Sequence, residues 1–295
     1  MELQLKNIGM IKEANVRLDG LTVIAGENDT GKSTVAKNFH YEINSLDGFG
    51  IFPIPFKRAK LHLKDEDRED IFNATFIDSP TALDTFSFIK NSMLLIHQHR
   101  LNIHIPYYKS DLILKLSQDE RYNYNSKNSY DNISLYEKIK NLINGEIIYD
   151  KSKDDIFFKK SSLKDSFNME NTSNGIKMFG FLQILILNGT LKRNSVLILD
   201  EPEVHLHPKW QLEYAKILVE LVKNGVKILV TSHSPYMIEA LKRYSELEEI
   251  EDKTNFYLAE DGYIKYQDNL ENIFEKLVLP IRELKKLKLE RYING

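Results

Sequence analysis

The chain has 295 residues, 42% hydrophobic and 28% charged, a balance that suits a globular protein with one large core or a domain carrying an insertion. It has no cysteine, which excludes disulfides, thiolate catalysis and cysteine-ligated zinc or iron–sulfur centres and fits a reducing cytoplasm. No apolar run approaches a membrane span, the start Met1-Glu2-Leu3-Gln4 lacks signal-peptide character, and a net charge of -3 argues against a chain coated in nucleic acid.

Residues 1 to 25 read as short strands. Leu3 to Ile8 and Ala14 to Leu18 alternate, Asp19-Gly20 is a turn, and Leu21 to Ala25 is a continuous apolar run, so a small antiparallel sheet is expected to lead into a buried strand. A helix from about Gly31 to Asn44 follows, broken at Asp47-Gly48. The stretch 49–145 is expected to be a variable, mainly helical insertion between the two parts, 1–48 and 146–295, of a single head. Within it Pro53 and Pro55 forbid regular structure, Lys64 to Asp70 is a charged helical face, Ala74 to Asp78 reads as a strand and Asp84 to Leu95 as a helix. Residues 119–133, rich in Asn, Tyr and Ser, read as a flexible loop, and Gly145 to Lys159 as a hairpin.

Beyond residue 165 the pattern sharpens. Ile176 to Asn188 is an apolar helix stopped by Gly189, Ser195 to Leu199 and Val226 to Val230 are strands buried on both faces, and Trp210 to Val222 is an amphipathic helix. Ser234-Pro235 starts a further helix, Asp261-Gly262 is a hairpin turn, and the tail from Leu270 is helical with an interruption at Pro280.

Three motifs carry chemistry. Gly26-Glu-Asn-Asp-Thr-Gly-Lys-Ser33 fits GxxxxGK[ST] in the strand–loop–helix context that this pattern requires. Gly26 and Gly31 let successive N–H groups, through Glu27, Asn28, Asp29 and Thr30, cradle phosphate oxygens at the positive end of the helix that Thr34 continues. Lys32 would reach the outer phosphates and the Ser33 hydroxyl would ligate magnesium. Strand Val196 to Leu199 then delivers Asp200 to hold the magnesium water shell and Glu201 to take a proton from an attacking water. Strand Val226 to Val230 delivers His233, which can hydrogen-bond a γ-phosphate. His205 and His207 have no third ligand nearby in sequence, so they make a poor metal site.

GENDTGKST, SNGIK, LILDEPEVHLHPKWQ and VTSHSP, in that order, resemble an ABC-type ATPase head of the OLD, RecF and SMC group. The resemblance implies an α/β P-loop NTPase with an N-terminal antiparallel sheet, a mainly parallel core sheet and a helical insertion. It implies ATP and Mg2+ as cofactors and a homodimer closed on ATP. It also assigns Ser173 and Gly175, with Lys177 as a lesser candidate, to contacts with the ATP of the second subunit. His207 stands where ABC transporters have an Asp, which resembles the OLD-like branch and argues against a transporter. Long heptad arms and a C-terminal TOPRIM nuclease are not expected, and the glutamine that the family uses between its lobes has only Gln98 as a candidate.

The expectation is an ATP-hydrolysing switch that controls a separate effector, a nuclease or toxin, by analogy with ATPase components of bacterial anti-phage modules such as Septu. A DNA-repair or maintenance ATPase that binds nucleic acid is the alternative, with Lys285, Lys286, Lys288 and Arg291 as its basic cluster; a non-hydrolysing ATP-bound scaffold is a second. No membrane partner is expected.

Overall fold

The computed structural model describes residues 1–46, 59–63, 74–99, 104–118, 132–163, 165–279 and 284. β1 (Glu2–Ile8) and β2 (Ile11–Arg17) form the expected antiparallel pair, β3 (Leu21–Ala25) leads into the glycine loop, and α1 (Lys32–Ser45) follows it. β4 (Ala59–His62) and β5 (Ala74–Ile77) precede α2 (Thr81–Asp84), α3 (Phe86–His99), α4 (Tyr107–Leu116) and α5 (Ile133–Ile143). β6 (Gly145–Asp150), β7 (Asp155–Lys160) and β8 (Ser166–Asn168) form a separate antiparallel sheet, followed by α6 (Asn174–Leu187). Then come β9 (Val196–Asp200), α7 (Pro208–Lys223), β10 (Lys227–Ser232), α8 (Pro235–Leu247), β11 (Thr254–Glu260), β12 (Tyr263–Gln267) and α9 over 271–279.

The main sheet runs β4-β1-β2-β12-β11-β3-β10-β9-β5. From β11 to β5 each neighbouring pair is parallel, so β3, β10, β9 and β5 all end on one edge of the sheet. Successive residues point to opposite faces, and because both faces are covered these strands read as unbroken apolar runs. Val196, Ile198 and Leu229 face α1 and meet Val35, Ala36 and Phe39; Leu197, Leu199, Ile228 and Val230 face α6, α7 and α8. The sheet is thus covered on both sides, and its open edge is where the loops collect.

The structure adds two features to the sequence reading. The N-terminal antiparallel pair is continuous with the core, because β12 pairs with β2 in parallel, Tyr263 opposite Glu13. Two strands of the 49–145 stretch also belong to the main sheet, β4 at one edge and β5 at the other. β4 and the three-residue β8 escape a periodicity reading because both are short and neither has a buried residue. The expectations for Pro53 and Pro55, for Lys64 to Asp70, for 119–131 and for the tail cluster Lys285 to Arg291 fall outside the described residues. Among the described residues, no helix is long and apolar enough to cross a membrane.

α6 is buried along nearly its whole length, and the small sheet packs against it through Ile147. A Cβ on Gly180 would lie 1.9 Å from Ile147 Cδ1, so only glycine allows this close approach. Replacing Gly180 by Ala is expected to destabilise the fold by about 1–3 kcal/mol through overpacking, despite the better helix propensity of alanine. Urea unfolding of the variant checks this.

Candidate functional site

The site is assembled at the ends of β3, β10 and β9, whose registers set Ala25 beside Ser232 and Thr231 beside Asp200. Gly26 is buried with φ +155°, and its N–H donates to Ser232 O at 3.3 Å, which ties the start of the loop to β10. Glu27, Asn28 and Asp29 are exposed at the loop's crest, and the Thr30 hydroxyl donates to Glu27 O at 2.8 Å. Gly31 caps α1 with φ +94°, and a Cβ there would sit 2.3 Å from Ile11 Cδ1. No acid occupies the first turn of α1, so its unpaired N–H groups and positive dipole end are left for an anion.

Lys32 is 3% exposed, and its ammonium donates to Gly26 O at 3.0 Å and Glu27 O at 2.7 Å. It also lies 3.3 Å from Glu201 Oε1, so the lysine of the loop and the acid of the strand tip form an ion pair. Ser33 Oγ donates to Asp200 Oδ1 at 3.0 Å. Burial pushes the Asp200 carboxyl upward, while hydrogen bonds from Thr231 and Ser33 and the charge of Lys37 oppose that rise. A hydroxyl and a carboxylate converging from two elements are the hard oxygen donors that magnesium prefers. The residues therefore fit a nucleotide phosphate held with that ion.

Glu201 is in the left-handed region, φ 52° and ψ 53°, which is uncommon for a side-chain-bearing residue and re-aims its carboxylate out of the strand. Its N–H donates to Thr231 O and to Thr231 Oγ1, both at 3.1 Å. His233 Nδ1 lies 3.6 Å from Glu201 Oε1 and 3.6 Å from Glu203 Oε1. Lys32, Ser33, Asp200, Glu201 and His233 are thus linked in one cluster.

Ser173 and Gly175 stand apart from that cluster. Ser173 caps α6, its hydroxyl accepting from Ile176 N at 3.5 Å, and Gly175 is pressed by the Trp210 ring, which a Cβ would approach to 2.8 Å. Lys177 is 3% exposed and committed to Asp84 at 2.6 Å, so the lesser candidate is a brace between α6 and α2 and not an outward cation. Gln98 is exposed near the end of α3, whose neighbours are α4 and β7. His205 Nδ1 and Asn174 Nδ2 are 3.4 Å apart, and His207 caps α7; the described residues contain no group of three metal-ligating side chains.

Sequence reasoning passed over four residues. Thr231 joins the two acids, its hydroxyl donating to Asp200 Oδ1 at 2.5 Å and accepting from Glu201 N. Glu203, 4% exposed, accepts from Ser232 Oγ at 2.7 Å, His233 N at 2.8 Å and Ser234 N at 3.2 Å. Asp78 follows β5, the strand beside β9, and its bond with Tyr108 leaves that phenol near Asp200; burial and the two acids push Tyr108 up to about 12. A signal existed only for Thr231 and Glu203, polar residues inside the two motifs already singled out.

The family described as "AAA domain, putative AbiEii toxin, Type IV TA system" matches residues 21–239, which span the glycine loop, the Asp200-Glu201 tip and His233. The chain belongs to this AAA-domain family. Among curated proteins it is similar to the Septu protein PtuA of Bacillus thuringiensis, 29% identical over 104 residues that cover 27% of this chain and 26% of that protein. The match therefore spans about a quarter of the Septu protein's length. A Clostridium perfringens protein described as a putative ABC transporter ATP-binding protein is 25% identical over 281 residues, 93% of this chain and 75% of that one. Among solved structures, an SmcHead bound to the C-winged helix domain of ScpA superposes with a TM-score of 0.51 at 17% identity, covering 93% of this chain and 98% of that one. The fold of this AAA-domain protein is accordingly the α/β P-loop NTPase fold of ABC-type heads, as its sequence implies.

Thr231→Val keeps the shape of the buried residue and removes the two hydroxyl bonds to the acid pair, leaving the backbone bond from Glu201 N–H to Thr231 O. The expected loss is about 1–3 kcal/mol of folding stability, read by chemical denaturation of the nucleotide-free protein.

Proposed function

We propose that this AAA-domain P-loop ATPase is an ATP-hydrolysing switch whose two copies close around two nucleotides. The supporting observation is the linkage of Lys32, Ser33, Asp200, Glu201 and His233 at the strand tips, three separate stretches of chain meeting at one helix N-terminus. In this reading the loop from Gly26 to Thr34 holds the phosphates, and Ser33 and Asp200 hold magnesium. The bound ion would offset phosphate charge. Glu201 orients and deprotonates water, and His233 responds to the γ-phosphate end.

The pairing of Lys32 with Glu201 gives this switch a physical basis. Each neutralises the other at 3.3 Å, and a phosphate that takes the lysine frees the carboxylate for water. Ser173 and Gly175, on an α6 terminus outside the cluster, are the groups we assign to the nucleotide of the second copy. We further propose membership of the OLD, RecF and SMC group, supported by the likeness in fold to an Smc head, and a role controlling a separate effector in anti-phage defence, supported by the similarity to the Septu protein PtuA.

Glu201→Gln is expected to lower ATP turnover by roughly 100-fold or more while ATP still binds, so that a dimer accumulates with magnesium and ATP. Lys32→Ala is expected to remove nucleotide binding and, with it, the dimer. Light scattering with and without nucleotide reads both. A Glu201→Gln protein that binds ATP and stays monomeric would sink the switch, and a wild-type protein with no affinity for ATP would sink the whole reading.

A further inference from the structure

Two open clefts flank Phe274 where α9 faces α8. One, of about 620 Å3, lies between α8 and the stretch from Asp268 to Val278. The other, of about 540 Å3, has an apolar floor of Leu212, Pro235, Tyr236, Ala240 and Tyr244. Glu239, Arg243 and Phe274 line both, so the two form one groove along α8. Large apolar side chains lie open in it, Tyr236 being 59% exposed and Leu212 40%. An apolar floor ringed by charge is the form of a surface that another segment covers.

The wall of the groove is acidic. Glu239, Glu246, Asp268, Glu271 and Glu275 line it against Lys242 and Arg243. Both cations are already committed, Arg243 to Glu239 at 2.8 Å and to Glu246 at 3.3 Å, and Lys242 to Glu246 at 3.2 Å. Asp268 and Glu271 have no ion-pair partner among the described residues. The complementary occupant is a segment that carries positive charge and apolar side chains together.

Such a segment leaves the fold at the groove itself. α9 is fixed by the buried Ile273, by Phe274 and Leu277 packed on the core, and by Lys276 paired with Glu260. Val278, its penultimate residue, lines the charged cleft. The 16 residues 280–295 carry Arg282, Lys285, Lys286, Lys288 and Arg291 against Glu283 and Glu290, the reverse of the groove's balance. Ile281, Leu284 and Leu287 recur at every third position, and Leu284 is 66% exposed, so the segment has apolar side chains that also lack cover. As a helix these 16 residues would span about 24 Å, and the 13 residues of α8 span about 20 Å, so reach is not limiting.

We propose that the groove between α8 and α9 is the docking site of this chain's own segment 280–295, its lysines set against Asp268 and Glu271 and its leucines over Tyr236 and Phe274. α8 starts at Pro235, two residues after His233, so the docked segment braces the helix that carries this turn. The contact requires no nucleotide and stands apart from the ATPase reading.

The absence of cysteine lets two nitroxide labels be placed cleanly in the full chain, at Glu251→Cys, exposed beyond the end of α8 and outside the groove, and at Asn294→Cys. Pulsed electron–electron resonance on the nucleotide-free protein is expected to show one narrow distance population. Reversing the groove charge with Asp268→Lys and Glu271→Lys is expected to abolish most of that population, and adding Lys285→Glu and Lys286→Glu to the same variant is expected to restore it. A broad population in the wild type overturns the proposal and leaves the groove to a partner protein. A narrow population that ignores the reversal overturns it too, since a segment rigidly extending α9 would behave in that way, as does a loss that the swapped charges fail to restore. A signal between two singly labelled chains on mixing, in place of one within a chain, assigns the groove to the segment of a second copy and overturns docking within the chain.

Discussion

The hydrogen bond between Ser33 and Asp200 is the contact on which the arrangement turns, because it can form only if three parallel strands end level with one another. Ser33 lies in the first turn of α1 after β3, Asp200 closes β9, and β10 lies between those strands. Thr231 spans the gap from β10, donating to Asp200 and receiving the N–H of Glu201. A one-residue slip of β9 against β10 would turn Asp200 toward the other face and break both links, so the alternating apolar residues that fix register also fix the site.

The same geometry sets the electrostatics. Three acids, Asp200, Glu201 and Glu203, fall within four residues of sequence, and like charges so close would repel if left alone. Each is given a different set of partners: Asp200 takes hydroxyls, Glu201 takes the Lys32 ammonium, and Glu203 takes the N–H groups of the turn before α8. The left-handed backbone at Glu201 makes this possible by sending consecutive side chains in different directions. Strain at that residue is thus offset by the contacts it creates.

The second layer of the molecule carries this arrangement outward. α6 touches the segment after Glu201 through His205 and Asn174 and touches α7 through Trp210 and Gly175, so the exposed cap at Ser173 is tied to the elements that follow Glu203. On the opposite face, His40 and Asn44 of α1 reach Asp111 and Ala74 O, which fastens the helix behind the glycine loop to α4 and β5. Part of the 49–145 stretch is therefore built into the support of the site.

Most of the architecture was legible from sequence, because strands buried on both faces must be apolar throughout and helices that cover them must repeat near every fourth residue. GENDTGKS, LILDEP and VTSHSP located β3, β9 and β10 and the candidate residues at their ends from spacing alone. Pattern could not show that β2 and β12 join two sheets into one, or that β4 and β5 of the 49–145 stretch supply its edges, since pairing between distant strands leaves no local mark. Nor could it tell Lys177 from an outward-facing cation, because its fate depends on Asp84, 93 residues earlier in the chain. Local chemistry settled which residues could act; only the packing of remote segments decided which of them meet, which are committed elsewhere, and that Thr231 and Glu203 stand behind them.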